Sequence, residues 1–260
     1  MISLPEPTTL LVGAMAFLRI GGILFAMPII GDTPTPIRAR VLLALAITIG
    51  LYSSIPASWA PNLDTDVVVI GLFVGKELIV GLMIGFMARI AFAGILMAAA
   101  IVSYQMGFGT SNLFLPDLNS QLDAFTAFHR AIMMLLFLVL GLHHMFLAAI
   151  HETFVMIPGG AFTIKQELGQ FLIDISAGLF VTALQMAAPV LIALMFTMTG
   201  MGLIARTVPQ MNVFILSFPA SFFIGLAVYL ATFPFYPDWM QEHFFQTQEY
   251  VITVIRGMAS

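Results

Sequence analysis

Residues 104–121 read YQMGFGTSNLFLPDLNSQ and separate two long hydrophobic halves of the chain. This central segment contains three helix breakers, Gly107, Gly109 and Pro116, among small polar side chains. Glycine and proline interrupt helical hydrogen bonding, and Asn and Ser compete for backbone hydrogen bonds, so the segment is predicted to be a loop. The same loop keeps four large apolar side chains, which are Phe108, Leu113, Phe114 and Leu115.

Two interpretations of these apolar side chains remain open. Large apolar side chains are normally found in the core and not in exposed loops. One interpretation is therefore that the central segment packs inside a cavity, inside a pore or against a partner surface. The other interpretation is an ordinary connecting loop whose Phe side chains insert among the lipid headgroups. Composition alone does not decide between the two.

The composition of the whole chain sets the class of protein. Of its 260 residues, 60% are hydrophobic and 8% are charged, whereas about a quarter are charged in soluble domains. This favours an integral membrane protein, or a subunit buried in a large hydrophobic assembly. The chain has no cysteine, which excludes disulfides and thiolate chemistry. The net charge of −4 comes without a basic cluster, so nothing indicates nucleic-acid binding.

The apolar runs predict an all-α membrane protein with one membrane domain. The first run, residues 8–30, is long enough to cross a bilayer core of about 30 Å, and residues 1–11 lack the features of a removable signal peptide. Further runs cover residues 37–55, 67–102, 122–150, 171–205 and 211–233. The domain is divided into N-terminal helices (1–103), the central loop (104–121), C-terminal helices (122–237) and a short amphipathic tail (238–260).

The run from Val67 to Val102 is too long for one plain crossing, since a helix of that length spans about 54 Å. It also carries Lys76, Glu77 and Arg89, each costing at least ~2.5 kcal/mol at membrane depth unless paired or hydrated. Two structures are compatible with this: a broken or hairpin-like pair, or one long helix standing partly outside lipid in a protein complex. The run from 171 to 205 is also long, with Pro189 as the expected kink.

Glycine spacing on the same run indicates close helix packing. Gly71 and Gly75 are four residues apart, as are Gly81 and Gly85. Small residues at this spacing let two helix backbones approach each other.

Catalytic and metal-binding motifs are incomplete. His151 and Glu152 begin like the zinc-protease motif HExxH, but residue 155 is Val. His144, His151 and Glu152 lack an evident third partner at ligand spacing. Residues 109–112 lack the second glycine of an intramembrane serine nucleophile turn, and no phosphate-binding loop is present. We therefore expect a protein that is not an enzyme and that carries no cofactor and no metal.

Several motifs, in order along nearly the whole chain, resemble those of the FliR family of flagellar biosynthesis proteins. The most specific is RTVPQMNVF at residues 206–214, followed by Phe218 and Pro219. The others are residues 28–40, Glu77 with Gly81 and Gly85, Gln105-Met106-Gly107, Gly141-Leu142-His143, Phe154, and Pro158-Gly159. Departures from the family pattern are Pro116-Asp117 for Asp-Pro, Ser217 for Gly, and the absence of Gly at 98–100.

The resemblance implies a core subunit of the type III secretion export gate. Such a subunit assembles with FliP and FliQ into a helical ring with which FlhB associates, in the bacterial inner membrane and flagellar basal body. Its helices are expected to be kinked and to form hairpins, with much of the complex above the bilayer. It would pass unfolded substrates across the membrane for flagellum assembly.

The resemblance also assigns candidate residues. The central segment corresponds to a plug in the closed pore, so Phe108, Leu113, Phe114 and Leu115 would constrict the channel, while Gly107 and Gly109 would let the segment move. Residues expected to pack against other subunits are Lys76, Glu77, Gly81, Gly85, Arg206, Pro209, Gln210, Asn212 and Phe214.

Two alternative functions remain open at this stage. One is an injectisome export-gate subunit, which shares the fold and differs in its cargo. The other is a secondary transporter in which Lys76, Glu77 and Arg89 form the coupling site. A transporter is expected to show matching broken helices in both halves, but the two long runs carry different charges.

Overall fold

The computed structural model describes residues 7–28, 30–31, 35–55, 59, 67–108, 123–162, 166–208, 210 and 212–259. Throughout these ranges the regular secondary structure is helical, as the composition predicts. The helices are α1 (Pro7–Ala26), α2 (Ile37–Leu51), α3 (Val67–Gln105), α4 (Ala124–Val139), α5 (His143–Met156), α6 (Gln166–Thr207), α7 (Val213–Thr232) and α8 (Tyr236–Met258). Short 3₁₀ turns follow α2 at Tyr52–Ser54 and α7 at Phe233–Phe235.

Five segments of the described chain are long and apolar enough to cross a membrane: residues 8–26, 37–54, 67–105, 168–207 and 215–258. Helices α4 and α5 meet the same criteria only as a broken pair, which would make a sixth span. The break lies at residues 140–142, where Gly141 has a φ of +70°. A positive φ favours glycine and ends an α-helix, so the predicted run 122–150 forms two helices instead of one.

Helix α3 is a single element of 39 residues, so the broken-pair alternative is wrong. A position of this long helix partly outside lipid, in a protein complex, stays a prediction. No proline interrupts residues 67–105. The charged pair Lys76 and Glu77 finds partners elsewhere in the chain, as described below. Helix α6 is similarly continuous over 42 residues and includes Pro189.

The chain divides into two compact units, with three boundaries within α3, α6 and α8 and a fourth between α4 and α5. Unit 1 comprises residues 1–92, 141–175 and 243–260, and unit 2 comprises residues 93–140 and 176–242. The core of unit 1 is formed by apolar faces of α1, α3 and α5. The end of α8, through Val251, Val254, Ile255 and Met258, packs in the same core. The predicted amphipathic tail is therefore part of a longer helix, and the apolar side chains near its end are buried in the core of unit 1.

The second glycine pair of α3 brings that helix close to α1. A Cβ atom on Gly81 would overlap the backbone carbonyl oxygen of Arg19, and one on Gly85 would lie 2.5 Å from the carbonyl oxygen of Ile23. In contrast, a Cβ atom on Gly71 or Gly75 would meet no described atom within 4 Å. Among the described residues, the close helix packing thus involves Gly81 and Gly85 and not Gly71 and Gly75.

Candidate functional site

The structure describes the beginning of the central segment and Asp123, which lies two residues beyond its end. Gly107 and Phe108 belong to unit 2 and are described, as is Asp123. The predicted plug residues Gly109, Leu113, Phe114 and Leu115 lie outside the described residues, as does Pro209. Their assigned roles therefore stay predictions.

Gly107 ends helix α3. Its φ is +95°, and its N–H donates to the carbonyl oxygen of Tyr104 at 3.1 Å. A Cβ atom here would lie 2.7 Å from a ring carbon of Phe218 on α7. Glycine is the residue that ends helices in the left-handed conformation because it carries no Cβ. The structure thus gives Gly107 a definite role as a helix end packed against α7.

Phe108 is held in an aromatic cluster. Its ring centroid lies 6.0 Å from that of Phe125 on α4 and 5.6 Å from that of Phe222 on α7. Phe125 in turn packs edge-to-face against Tyr229 with a centroid distance of 5.0 Å. Aromatic pairs in such arrangements stabilise by about 0.5–1.5 kcal/mol beyond the area they bury. The start of the central segment is therefore anchored to two helices of unit 2.

A buried histidine continues this cluster. His129 is 2% exposed, and its Nδ1 forms a hydrogen bond with the Tyr229 hydroxyl at 2.9 Å. Its Nε2 has no hydrogen-bond partner among the described residues. His129, Tyr229 and Tyr236 line a cavity of about 10 Å³, which has room for at most one water molecule. Nothing about the cavity suits a larger ligand.

Asp123 connects the other end of the central segment to α3. Its Oδ1 accepts hydrogen bonds from the Ser103 hydroxyl and from the Thr126 backbone N–H, the latter at 2.9 Å. Its Oδ2 accepts from the Thr126 hydroxyl at 2.8 Å. Asp123 is thus the N-cap of α4 and also binds a residue 20 positions earlier in the chain.

The environment of Asp123 favours its charged form. Partial burial raises the pKa of the carboxyl group, but the hydrogen bonds from Ser103 and Thr126 outweigh this and hold its pKa below the ordinary value of 3.8. A lowered folded-state pKa contributes stability that is present above the unfolded-state value and is lost as the pH falls through the folded-state value. The interaction is therefore intact at neutral pH.

Replacing Asp123 by alanine removes the N-cap and the Ser103 contact together. We expect Asp123→Ala to lower the stability of the chain by about 2 kcal/mol at pH 7, of which about 1 kcal/mol is the usual loss for an N-cap and the rest is the loss of the hydrogen bond from Ser103. The difference from wild type should shrink as the pH falls through the depressed pKa. Thermal unfolding followed against pH measures this. Asp123→Asn, which keeps a capping oxygen, should lose less; equal losses for both variants would contradict the assignment.

A second polar centre lies in the core of unit 1. Arg19 of α1 is 0% exposed and Glu77 of α3 is 1% exposed, and Arg19 Nε donates to Glu77 Oε2 at 2.6 Å. Arg19 Nη1 donates to the carbonyl oxygens of Thr153 and Ile157 at 2.7 and 3.2 Å, at the C-terminal end of α5. A cation suits a helix C-terminus, where carbonyl groups lack helical partners.

Aromatic rings complete the surroundings of the Arg19 guanidinium. Its Cζ atom lies 4.2 Å from the ring centroid of Trp59 and 5.4 Å from that of Phe154. These cation–π contacts add to the ion pair and to the carbonyl hydrogen bonds. Arg19 thereby joins α1, α3, the end of α5 and Trp59.

Lys76 and Glu77 both form hydrogen bonds with the backbone of Gly160. The Gly160 N–H donates to Glu77 Oε1 at 2.8 Å, and Lys76 Nζ donates to the Gly160 carbonyl oxygen at 3.0 Å. Adjacent helix residues point about 100° apart, so the two side chains do not pair with each other and instead bind both polar groups of the same glycine. These contacts occupy two of the three residues that a transporter would use for coupling.

The remaining predicted packing residues are at the α6–α7 connection. Arg206 in the last turn of α6, Gln210 and Asn212 are exposed, and the side chain of Phe214 is not described. Asn212 is at the N-cap position of α7, where its carbonyl oxygen accepts from the Ile215 N–H at 3.1 Å. Contact of these residues with other subunits stays a prediction.

Sequence reasoning missed several partners. Arg19 is the single charged residue of the first apolar run, but its partner Glu77 is 58 residues away, and residue spacing carries no signal at that distance. Asp123 was identifiable, because Asp directly before an apolar run is an N-cap signal. Within the described ranges, no three His, Asp or Glu side chains are grouped in a way that could hold a metal ion.

Together, the helical structure and the five segments that are long and apolar enough to cross a membrane define an all-α integral membrane protein. Residues 10–247 match the sequence model of the family described as "Bacterial export proteins, family 1". Because the match covers most of the chain, the chain belongs to this family.

Individual relatives carry two kinds of name. "Flagellar biosynthetic protein FliR" of Bacillus subtilis (strain 168) is 29% identical over 79% of each chain. The protein of the same name from Aquifex aeolicus (strain VF5) is 26% identical over 92% of each chain. "Yop proteins translocation protein T" of Yersinia pestis is 29% identical over 67% of this chain and 68% of its own length.

Proposed function

We propose that this chain is a non-enzymatic core channel subunit of the flagellar type III protein export gate. In this role it passes unfolded substrates across the bacterial inner membrane for assembly of the flagellum. It works in a complex with FliP and FliQ, with which FlhB associates. The observation that carries the proposal is the family match over residues 10–247, together with relatives named for flagellar biosynthesis.

The length of two helices supports a place in a larger complex. Helices α3 and α6 contain 39 and 42 residues, so each spans about 60 Å at ~1.5 Å per residue. This is about twice the hydrocarbon thickness of a bilayer. Helices of this length either extend beyond the membrane or tilt strongly within it, and protein neighbours stabilise both arrangements.

Exposed aromatic side chains also support a place in a larger complex. Phe180 and Phe196 on α6 and Phe223 on α7 are 54%, 75% and 68% exposed. Large apolar groups at this exposure need lipid or another protein around them. Packing against FliP and FliQ would cover them in the part of the complex that stands above the bilayer.

The central segment acts in this proposal as the seal of the closed pore. Leu113, Phe114 and Leu115 supply the constriction, because an apolar ring excludes water and ions and still yields to a polypeptide. The described start of the segment supports this role, since Phe108 is anchored to Phe125 and Phe222. Gly109 follows the anchor and supplies backbone freedom next to it.

Removing the constriction tests the proposal. We expect deletion of residues 109–115, which leaves Gly107 and Phe108 in place, to make vesicles carrying the co-expressed complex permeable to ions. Dye and ion efflux from these vesicles is measured, and co-purification of the partner subunits shows that the complex has formed. A length-matched variant with Leu113, Phe114 and Leu115 changed to Ser should leak as well.

One result would reject the seal. Suppose that both variants form the complex and that dye and ion efflux from the vesicles is as low as in wild type. The central segment is then a connecting loop, and the proposal that these residues seal the pore is wrong. Cells carrying either variant should also lose motility if the pore no longer holds its closed state.

The second candidate function is an injectisome export-gate subunit that serves effector secretion. The observation in its favour is the similarity to the Yersinia pestis translocation protein over 67% of this chain. Deleting the gene in its host separates the candidates: loss of motility supports the flagellar function, and loss of effector secretion with intact motility supports the injectisome function.

A further inference from the structure

A small cavity lies in the core of unit 2, lined by side chains of α3, α4, α6, α7 and the start of α8. Its volume is about 10 Å³, which is close to the least that holds one water molecule. Three of its lining residues, His129, Tyr229 and Tyr236, are polar, and the others are apolar. The cavity is therefore small enough to exclude most ligands, yet it is not a purely apolar void.

The His129 imidazole has one of its two ring nitrogens paired. His129 is 2% exposed, and its Nδ1 forms a hydrogen bond with the Tyr229 hydroxyl at 2.9 Å. Its Nε2 is buried and has no hydrogen-bond partner in the described part of the chain. Buried polar atoms in folded proteins are nearly always paired with a protein group or with ordered water. Because His129 also lines the cavity, the cavity is the place where a partner for Nε2 fits.

The Tyr236 hydroxyl also has unused hydrogen-bonding capacity. Tyr236 is 6% exposed, and its hydroxyl oxygen lies 3.5 Å from that of Thr232. Thr232 has a single hydroxyl proton, which it donates to the Tyr229 carbonyl oxygen at the shorter distance of 2.9 Å. The contact between Thr232 and Tyr236 is therefore long and weak. Tyr236 lines the same cavity as His129, and their ring centroids are 6.1 Å apart.

We propose that this cavity holds one ordered water molecule, which hydrogen-bonds to His129 Nε2 and to the Tyr236 hydroxyl. The water joins α4 to the start of α8, as the bond between His129 and Tyr229 joins α4 to α7. Water both donates and accepts, so it suits either tautomer of the imidazole. A metal cation does not fit, since no carboxylate is among the described residues that line the cavity. The water site is independent of the export function proposed above.

The direct test is an experimental density map of the unmodified chain in the complex co-purified with its partner subunits, at a resolution that shows ordered water. We expect a single peak in the cavity, about 2.7–3.2 Å from both His129 Nε2 and the Tyr236 hydroxyl oxygen. An empty cavity, or a direct hydrogen bond between the two side chains, would overturn the proposal. This test needs no variant, so it stands even if a substitution prevents assembly.

Two substitutions then identify the groups that hold the water. Tyr236→Phe keeps the ring and removes the hydroxyl, so we expect the peak to be lost. Thr232→Val keeps the side-chain shape and removes the other hydroxyl near Tyr236, and we expect the peak to remain. If the peak is lost in Thr232→Val and kept in Tyr236→Phe, the assignment of Tyr236 as a ligand of the water is wrong.

Amide hydrogen exchange in peptides covering residues 227–238 measures what the water contributes to the packing of unit 2. For Tyr236→Phe we expect exchange to rise by about tenfold, the equivalent of ~1.4 kcal/mol, because His129 Nε2 again lacks a partner. The matched control is Tyr250→Phe, which removes a hydroxyl from a Tyr that is 41% exposed on the same helix. It should change exchange around its own site by less than about threefold. Equal changes in the two variants would show that the Tyr236 hydroxyl holds no buried water, which rejects the proposal as stated.

Discussion

Glu77→Ala is expected to lower the stability of unit 1 by about 3–5 kcal/mol, the range for breaking a buried ion pair by removing one partner. Arg19 would remain buried between Trp59 and Phe154 without its counter-ion. The Gly160 N–H would also lose its acceptor. Because both losses occur in the core of unit 1, the effect should be among the largest of any single substitution in the chain.

Thermal unfolding of the purified complex measures this effect, together with the amount of chain recovered from membranes. The matched control is Glu152→Ala, which removes an exposed carboxylate from α5 and should change stability by no more than about 0.5 kcal/mol. Replacing both partners, Arg19→Leu with Glu77→Leu, should cost less than Glu77→Ala alone, since it leaves no unpaired charge. A loss below about 1 kcal/mol for Glu77→Ala would show that the ion pair does not organise the core.

Gly81→Val is the second substitution with a large expected effect. Even the Cβ atom of an alanine here would overlap the Arg19 carbonyl oxygen, and that atom is backbone and cannot turn aside. Helices α1 and α3 must separate to admit a larger side chain, at a cost of about 1–3 kcal/mol or more for overpacking. We expect Gly81→Ala to be destabilising and Gly81→Val to prevent recovery of the folded chain.

Gly75 supplies the matched control on the same helix. A Cβ atom there meets no described atom within 4 Å, so Gly75→Ala should be neutral or should stabilise α3 by up to about 1 kcal/mol through helix propensity. Thermal unfolding and recovery of both alanine variants are compared in the same complex. If Gly81→Ala and Gly75→Ala behaved alike, the close approach of α1 and α3 would be wrong.

Much of the architecture was accessible from sequence because it depends on local composition and spacing. The long apolar runs with few charges predicted a helical membrane protein, and six of them coincide with helices or helix pairs. The RTVPQMNVF motif and the spaced glycines pointed to the family that the comparison then confirmed. These signals work because helix length and side-chain polarity are properties of contiguous residues.

Helix continuity was less accessible. Whether residues 67–105 form one helix depended on whether Lys76 and Glu77 have hydrogen-bond partners within the chain. Both side chains bind Gly160, which is more than 80 residues away in sequence. The break at Gly141 was also missed, because a lone glycine inside an apolar run is compatible with both a continuous and a broken helix.

Sequence by itself therefore determined the class of the protein, its family and the approximate place of the described helices that are long and apolar enough to cross a membrane. Only the tertiary structure decided that Arg19 pairs with Glu77, that Gly81 packs closely against α1 while Gly75 meets no described atom, and that Ser103 binds Asp123. The physical reason is that burial and periodicity report which face of a helix avoids water. They carry no information on which distant residue meets that face, and that pairing depends on how the helices pack within each unit.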